Sequence, residues 1–126
     1  MNLIEGIKTK RYFFVPVHTT DHWSLIVVDI AAQSMAFLDP MGKHFLDKSI
    51  KSERLETVRQ FMALHKMKLK RDKTMETNIP KQSTAGDCGV FVLEYARHMH
   101  TYHSLQNMKD SIKEARKNIH DFLILD

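Results

Sequence analysis

The sequence predicts an α+β domain in which a mostly antiparallel sheet is packed by helices. Segments rich in β-branched and aromatic residues come first, apolar residues at helical spacing follow them, and a long apolar segment later begins directly after a polar loop. The chain has 126 residues, of which 43% are hydrophobic. We therefore expect a single domain spanning residues 1–126 with a modest core.

Three predicted strands open this arrangement. The first, residues 12–17, contains Pro16, which cannot donate a hydrogen bond in a sheet and so indicates an edge position or a strand end. The second, residues 23–30, is apolar on both faces, as is typical of a central strand. The third, residues 34–39, ends at the turn sequence Pro40-Met41-Gly42. Short connections predict that the three strands form an antiparallel meander.

The remaining elements are mostly helical. Apolar residues at spacings of three to five predict an amphipathic helix within residues 47–71. A short alternating segment, residues 74–79, predicts one more strand. Residues 90–96 are apolar nearly all round, which predicts a helix packed on several sides, and residues 108–123 predict a final amphipathic helix.

Charge restricts the partners of the chain. A net charge of +4 is a small excess for a dedicated nucleic-acid binder, so we expect no nucleic-acid partner. Several basic residues gather at the end of the first predicted helix, where they complement its dipole. They are interpreted as a solvated helix end, and a nuclear-import signal or a contact with an acidic surface stays open. The basic residues are Lys66, Lys68, Lys70, Arg71 and Lys73.

The content of cysteine and histidine restricts cofactors and location. One cysteine excludes an internal disulfide and a cysteine-based zinc site, which favours a reducing compartment. His98, His100 and His103 lie close in sequence, but no carboxylate or cysteine completes a ligand set, so we expect no metal and no cofactor. No signal peptide or membrane-length segment is visible, which predicts a protein of the nucleus or cytoplasm without a membrane partner. We also expect the chain to be a monomer.

The single cysteine occupies a chemically favourable position. Cys88 ends the polar loop of residues 82–89 and begins a predicted buried helix. The free N–H groups and the positive dipole end of a helix favour thiolate over thiol at that place. Two interpretations are open at this point, a reactive nucleophile or a small buried hydrophobe.

Other residues supply what a thiolate nucleophile needs. An imidazole holds the ion pair and protonates the leaving amine, and a carboxylate fixes its tautomer. His22 at the mouth of the second strand and Asp39 at the end of the third fit these roles, because an antiparallel meander brings the two positions to one sheet end. Gln82 could offer its side-chain amide to an oxyanion, beside the Cys88 backbone N–H. Taken singly, His22 fits a loop histidine and Asp39 an Asp-Pro turn former.

Jointly, these segments resemble the catalytic signature of the Ulp/sentrin-specific (SUMO) protease family. The roles occur in the family's chain order of histidine, aspartate, glutamine and cysteine, and the similarity runs from about residue 13 to about residue 119. The segments that carry it are His22-Trp23, Leu38-Asp39 with Pro40-Met41-Gly42, and residues 82–89 followed by Val90-Phe91.

The resemblance implies a papain-like, Ulp/adenain-type cysteine protease fold. It also implies a thiol peptidase, a deSUMOylase-like isopeptidase that cuts after the C-terminal Gly-Gly of SUMO or a related ubiquitin-like modifier and takes conjugates of that modifier as partners. By residue-by-residue comparison, Cys88 would be the nucleophile, His22 the base and acid, Asp39 the orienting carboxylate and Gln82 the oxyanion donor. Relative to the family, we expect the chain to lack the N-terminal portion of the domain.

Trp23 is the candidate substrate-binding residue. It follows His22 directly, so strand alternation points its side chain away from the imidazole and towards the approach to Cys88. The family clamps the glycine pair between two tryptophans, and Trp23 is the only tryptophan here. A flat ring leaves room for glycine and little else. The alternative is a core tryptophan packed under the sheet.

Three classes of function stay open at the level of the sequence. The first is a protease of SUMO or a related modifier. The second is a weak or inactive relative that only binds the modifier, and the third is a thiol acyltransferase, since a thioester can pass to an amine as well as to water.

Overall fold

The computed structural model describes residues 10–42, 45–73, 88–105, 108 and 112–124. Within these residues, the strands are β1 (Tyr12–Thr19), β2 (His22–Asp29), β3 (Ser34–Leu38) and β4 (Arg71–Lys73), and the helices are α1 (Lys48–Leu64), α2 (Cys88–Tyr102) and α3 (Ile112–Ile124).

The first three strands form the predicted antiparallel meander. The described sheet has the order β1-β2-β3-β4, so β2 is internal and β1, which carries Pro16, lies at an edge. Thr19 pairs with His22, and Asp21 takes the positive φ of 53° that closes this two-residue turn. The hairpin is tighter than the sequence predicts, and His22 therefore stands at the first position of β2.

The fourth described strand was not predicted. Strand β4 occupies Arg71–Lys73, and the segment predicted as a strand, residues 74–79, lies outside the described residues. It pairs in parallel with β3, with Ser34 opposite Arg71. The described sheet is thus mostly, though not entirely, antiparallel.

Helix α1 ends seven residues earlier than predicted because a Schellman motif stops it. Lys66 has a φ of 62°, its N–H donates to the Ala63 carbonyl at 3.0 Å, and the N–H of Met67 donates to the Met62 carbonyl at 2.8 Å. Met62 is fully buried and Met67 packs against the core. The apolar contact that usually accompanies this motif offsets the unfavourable left-handed backbone of a lysine.

Helices cover both faces of β2. The Phe13 ring of β1 packs on Phe61 of α1 with centroids 6.1 Å apart, and Phe13 pairs with Val28 of β2. Trp23 is five residues from Val28 and therefore points to the other face, where a Cβ added at Gly89 of α2 would lie 3.7 Å from its Cδ1 atom. This arrangement explains why β2 is apolar on both sides.

Helix α3 is joined to α2 through a buried carboxylate. Glu94 of α2 is 2% exposed, forms an ion pair with Arg97, and accepts a 2.8 Å hydrogen bond from the Nδ2 of Asn118 in α3. A buried charge is stable only when it is paired and hydrogen-bonded. Glu94 therefore holds α3 in place against the helix that begins at Cys88.

The buried Tyr95 of α2 should make stability sensitive to alkaline pH. Burial raises the pKa of the Tyr95 hydroxyl from its ordinary value near 10, and the negative charge of Asp39 raises it further. Above about pH 10 the unfolded chain therefore loses a proton that the folded chain keeps, and the free energy of unfolding falls by about 1.4 kcal/mol per pH unit. Tyr95→Phe should remove this part of the slope in chemical denaturation at alkaline pH.

The matched control for this prediction is Tyr102→Phe in the same helix. Tyr102 is 60% exposed, so its hydroxyl stays in water and the variant should keep the parent's slope. Equal alkaline slopes for the parent and Tyr95→Phe would contradict the prediction.

Candidate active site

The turn between β1 and β2 and the end of β3 bring His22 and Asp39 into contact. The Nε2 atom of His22 lies 2.8 Å from Oδ1 and 2.9 Å from Oδ2 of Asp39, and both side chains are buried. Leu25 pairs with Leu38, so the antiparallel register carries the start of β2 to the residue just after β3. The contact is therefore a direct consequence of the sheet topology.

The Asp39 carboxylate accepts further hydrogen bonds that fix its orientation. The Ser24 hydroxyl donates to Oδ2 at 3.0 Å, and the backbone N–H of Met41 donates to Oδ1 at 2.8 Å. With both oxygens held towards the imidazole, His22 carries its proton on Nε2 when neutral, and Nδ1 becomes the proton acceptor. The arrangement suits a general base whose reacting atom is Nδ1.

Cys88 is the first residue of α2, and its sulfur contacts the strand that carries His22. The backbone N–H of Trp23 donates to Sγ at 3.2 Å, and Cys88 is 5% exposed. A donated N–H and the positive end of a helix dipole are both complementary to a negatively charged sulfur. The structure thus gathers the histidine, the aspartate and the cysteine named from the sequence at one end of the sheet.

Trp23 lies beside the sulfur and not in the core. Its side chain is 40% exposed and stacks against the His18 ring with centroids 4.5 Å apart, so the alternative of a tryptophan packed under the sheet is wrong. It borders a groove of about 710 Å³ that leads to Cys88 and is mainly apolar. The groove is lined by Pro16, His18, Asp21, Trp23, Cys88, Gly89, Val90, Val92 and Leu93.

Sequence reasoning missed several residues of the site. Ser24 was detectable, because it lies two residues after His22 and must share its face of the strand. Phe45, whose ring centroid lies 4.5 Å from that of His22 at an interplanar angle of 51°, contacts the imidazole and follows a turn sequence with no periodic pattern. Met41 contributes its backbone N–H, which every residue except proline has, so the amino-acid sequence gives no sign of this contact.

The remaining sequence predictions concern Gln82, a metal site at the histidines near the end of α2 and a membrane span. Gln82 lies outside the described residues. Within the part of the chain that the structure describes, no group of three or more histidine, cysteine or acidic residues is placed to hold a metal ion. His98 instead contacts the Ser104 carbonyl through Nδ1 at 2.6 Å, and His103 contacts the Tyr12 hydroxyl at 3.1 Å. Of the helices described, none is long and apolar enough to span a membrane.

Comparison with known proteins places this chain in a family. Residues 3–124 match the family described as the Ulp1 protease family, C-terminal catalytic domain. The chain belongs to the Ulp1 protease family. This match confirms the family read from the sequence and, at the level of the family, the cysteine-peptidase class.

The curated relatives that the chain resembles include sentrin-specific proteases. The chain is 27% identical over 118 residues to sentrin-specific protease 5 of Mus musculus, covering 88% of this chain and 15% of that protein. It is 29% identical over 112 residues to sentrin-specific protease 2 of Homo sapiens, covering 76% of this chain and 16% of that protein. The chain therefore spans only a small part of the relatives that it matches.

A solved structure supports the fold. The C-terminal Ulp1 protease domain in complex with Smt3, the yeast ortholog of SUMO, aligns with a TM-score of 0.72 and 20% sequence identity, covering 93% of this chain and 54% of that one. This confirms the Ulp-type α+β fold with the cysteine at the start of a helix.

Alkylation of Cys88 should depend on His22. If the imidazole forms an ion pair with the sulfur, His22→Ala should slow the reaction with iodoacetamide near neutral pH by on the order of 10-fold, the effect of losing about 1.4 kcal/mol of charge pairing. Mass spectrometry over time measures the rate, and Cys88 is the only cysteine that can react.

His120→Ala is the control, because it also removes one histidine but at a position outside the candidate site. His120 is exposed on α3, and its removal should leave the alkylation rate unchanged. An ion pair between His22 and Cys88 is ruled out if His22→Ala reacts as fast as the parent.

Proposed function

We propose that this chain is a thiol protease domain that cleaves after the C-terminal Gly-Gly of SUMO or a related ubiquitin-like modifier, either to mature the modifier or to remove it from conjugates. The proposal depends on the contacts that bring His22, Asp39 and Cys88 to the same end of the sheet. His22 contacts the buried Asp39, and the next residue along β2 donates its N–H to the Cys88 sulfur. The complex of the yeast Ulp1 domain with Smt3 supports a SUMO-type partner.

The proposed reaction uses Cys88 and His22 in two steps. The Cys88 sulfur attacks the carbonyl carbon of the last glycine, its proton having passed to Nδ1 of His22. The tetrahedral oxyanion collapses, the C–N bond breaks, and His22 gives the proton to the leaving amine. Water, deprotonated by the same imidazole, then hydrolyses the thioester and frees the modifier and the thiol.

Two other groups complete the proposed machinery. Asp39 holds the imidazole in the tautomer and orientation that the transfer needs. The N–H of Cys88 lies at the N-terminus of α2, where helix N–H groups lack a partner within the helix. We propose that it donates to the oxyanion together with the Gln82 amide, a role that rests on the family resemblance for Gln82.

The partner and location follow from the same proposal. We propose that the chain acts as a monomer in the nucleus or cytoplasm, without nucleic acid or membrane as a partner, and that residues 1–126 form one domain of the Ulp type.

A Gly-Gly tail suits the groove because the flat Trp23 ring borders the approach to the sulfur, where a side chain on the substrate would meet the ring.

Labelling with an electrophilic modifier tests nucleophile and recognition together. SUMO whose last glycine is replaced by propargylamine should form a covalent adduct with the parent chain and none with Cys88→Ala. Ubiquitin carrying the same group is the matched control and should react more slowly. Gel shift and peptide mapping locate the adduct.

The outcomes separate the three classes of function. Binding of SUMO without adduct indicates a relative that only binds the modifier. Adduct formation followed by transfer of the modifier to an added amine, with no hydrolysis, indicates an acyltransferase. Absence of both binding and adduct would sink the proposal.

Trp23→Ala tests the origin of glycine specificity. Removing the ring should raise the rate on an Ala-Gly tail relative to a Gly-Gly tail by on the order of 10-fold, while the absolute rate on Gly-Gly falls through lost positioning. The ratio of kcat/KM values for the two tailed substrates measures the change.

Leu93→Ala is a suitable control because Leu93 lines the same groove and is 56% exposed. It should lower the rate on both tails and leave their ratio unchanged. A ratio that Trp23→Ala also leaves unchanged would remove the ring from the account of specificity.

A further inference from the structure

We propose that Ser24 is a positioning residue of this site, whose hydroxyl holds the Asp39 carboxylate in the plane that orients His22. The proposal rests on the proposed function, since it assigns Ser24 a part in the same reaction. None of the segments that carry the family resemblance includes Ser24.

The location of Ser24 fits this role. It follows His22 by two residues in β2, so the two side chains share one face of the strand. Pairing of Leu25 with Leu38 puts Ser24 opposite the residue after β3, which is Asp39. The Ser24 Oγ donates to Oδ2 of Asp39 at 3.0 Å.

The hydrogen-bond pattern shows what the hydroxyl does. Nε2 of His22 lies almost equally far from the two carboxylate oxygens, at 2.8 and 2.9 Å. Oδ1 is also bonded to the Met41 N–H, and Oδ2 to the Ser24 hydroxyl. With a donor on each oxygen the carboxylate cannot rotate about its Cβ–Cγ bond without breaking one of them. Without Ser24, only Oδ1 keeps a second donor.

Burial makes the hydroxyl hard to replace. Ser24 and Asp39 both have 0% exposure, so bulk water does not reach Oδ2. A water molecule could enter in Ser24→Ala only if the vacated space offered it several polar partners. The variant should therefore leave Oδ2 with the His22 contact alone, so that the carboxylate is held by one donor fewer.

Ser24 does not lie on the substrate side of the strand. Trp23, which borders the groove, points to the opposite face, and Ser24 is absent from the groove lining. A positioning role therefore predicts that Ser24→Ala lowers kcat by roughly 10-fold, less than the 100-fold that a misplacement of ~1 Å can cause, while KM changes little.

A double-mutant cycle distinguishes positioning from a general effect on the fold. If Ser24 acts through the carboxylate, it has nothing to hold once Asp39 is removed. Adding Ser24→Ala to Asp39→Ala should then change kcat by less than about 2-fold, whereas independent effects would multiply. Multiplication of the two losses would overturn the proposal.

Ser34→Ala is the matched control. Ser34 is another buried serine of the sheet, at the far end of β3 opposite Asp29. Both substitutions delete one buried hydroxyl, so both can lower the melting temperature. Only Ser24→Ala should lower kcat, and an equal loss in Ser34→Ala would show that any buried hydroxyl of the sheet matters.

A spectroscopic readout keeps the test independent of turnover. The Nε2 proton of His22 should give a downfield NMR resonance, because it is hydrogen-bonded to a buried carboxylate. Ser24→Ala should move or broaden this resonance, and Ser34→Ala should not. An unmoved resonance overturns the proposal. A parent chain that shows the shift but no turnover leaves Ser24 as a positioning residue and counts against the proposed protease function alone.

Discussion

The Asp39 carboxylate is the group on which the site depends, because it is fully buried and a buried charge is stable only when donors surround it. Its donors come from different parts of the chain. The His22 imidazole and the Ser24 hydroxyl belong to β2, and the Met41 N–H belongs to the turn after β3. These donors converge only in the observed register of β2 and β3. A slip of one residue would turn His22 and Ser24 to the other face.

The second constraint is the contact between the sheet and α2. The Trp23 N–H reaches the Cys88 sulfur, and the Trp23 ring packs against the start of the helix at Gly89. Strand alternation allows two neighbouring residues to contact different elements, because His22 points to one face of β2, towards Asp39, and Trp23 points to the other, towards α2. Cys88 and His22 therefore come from separate elements and still lie near the same end of the sheet.

The rest of the core holds these elements in place. Tyr95 of α2 is fully buried, and the negative charge of Asp39 adds to burial in raising the pKa of its hydroxyl. Glu94, the adjacent residue, fastens α3 to α2 through Asn118. The helix that begins at Cys88 is thus bonded to β2 at its first residue and to α3 at its middle.

Local patterning determined the meander, the helix at Cys88 and the shared location of His22 and Asp39, because alternation, turn residues and helix starts are encoded over short stretches. Tertiary structure alone decided three other features. The end of α1 depends on Met67 packing at the Schellman motif, and the parallel pairing of β4 joins segments distant in sequence. Phe45 contacts the His22 imidazole, and the sequence around it has no periodic pattern that predicts this contact. Such features depend on contacts between segments that no local pattern specifies.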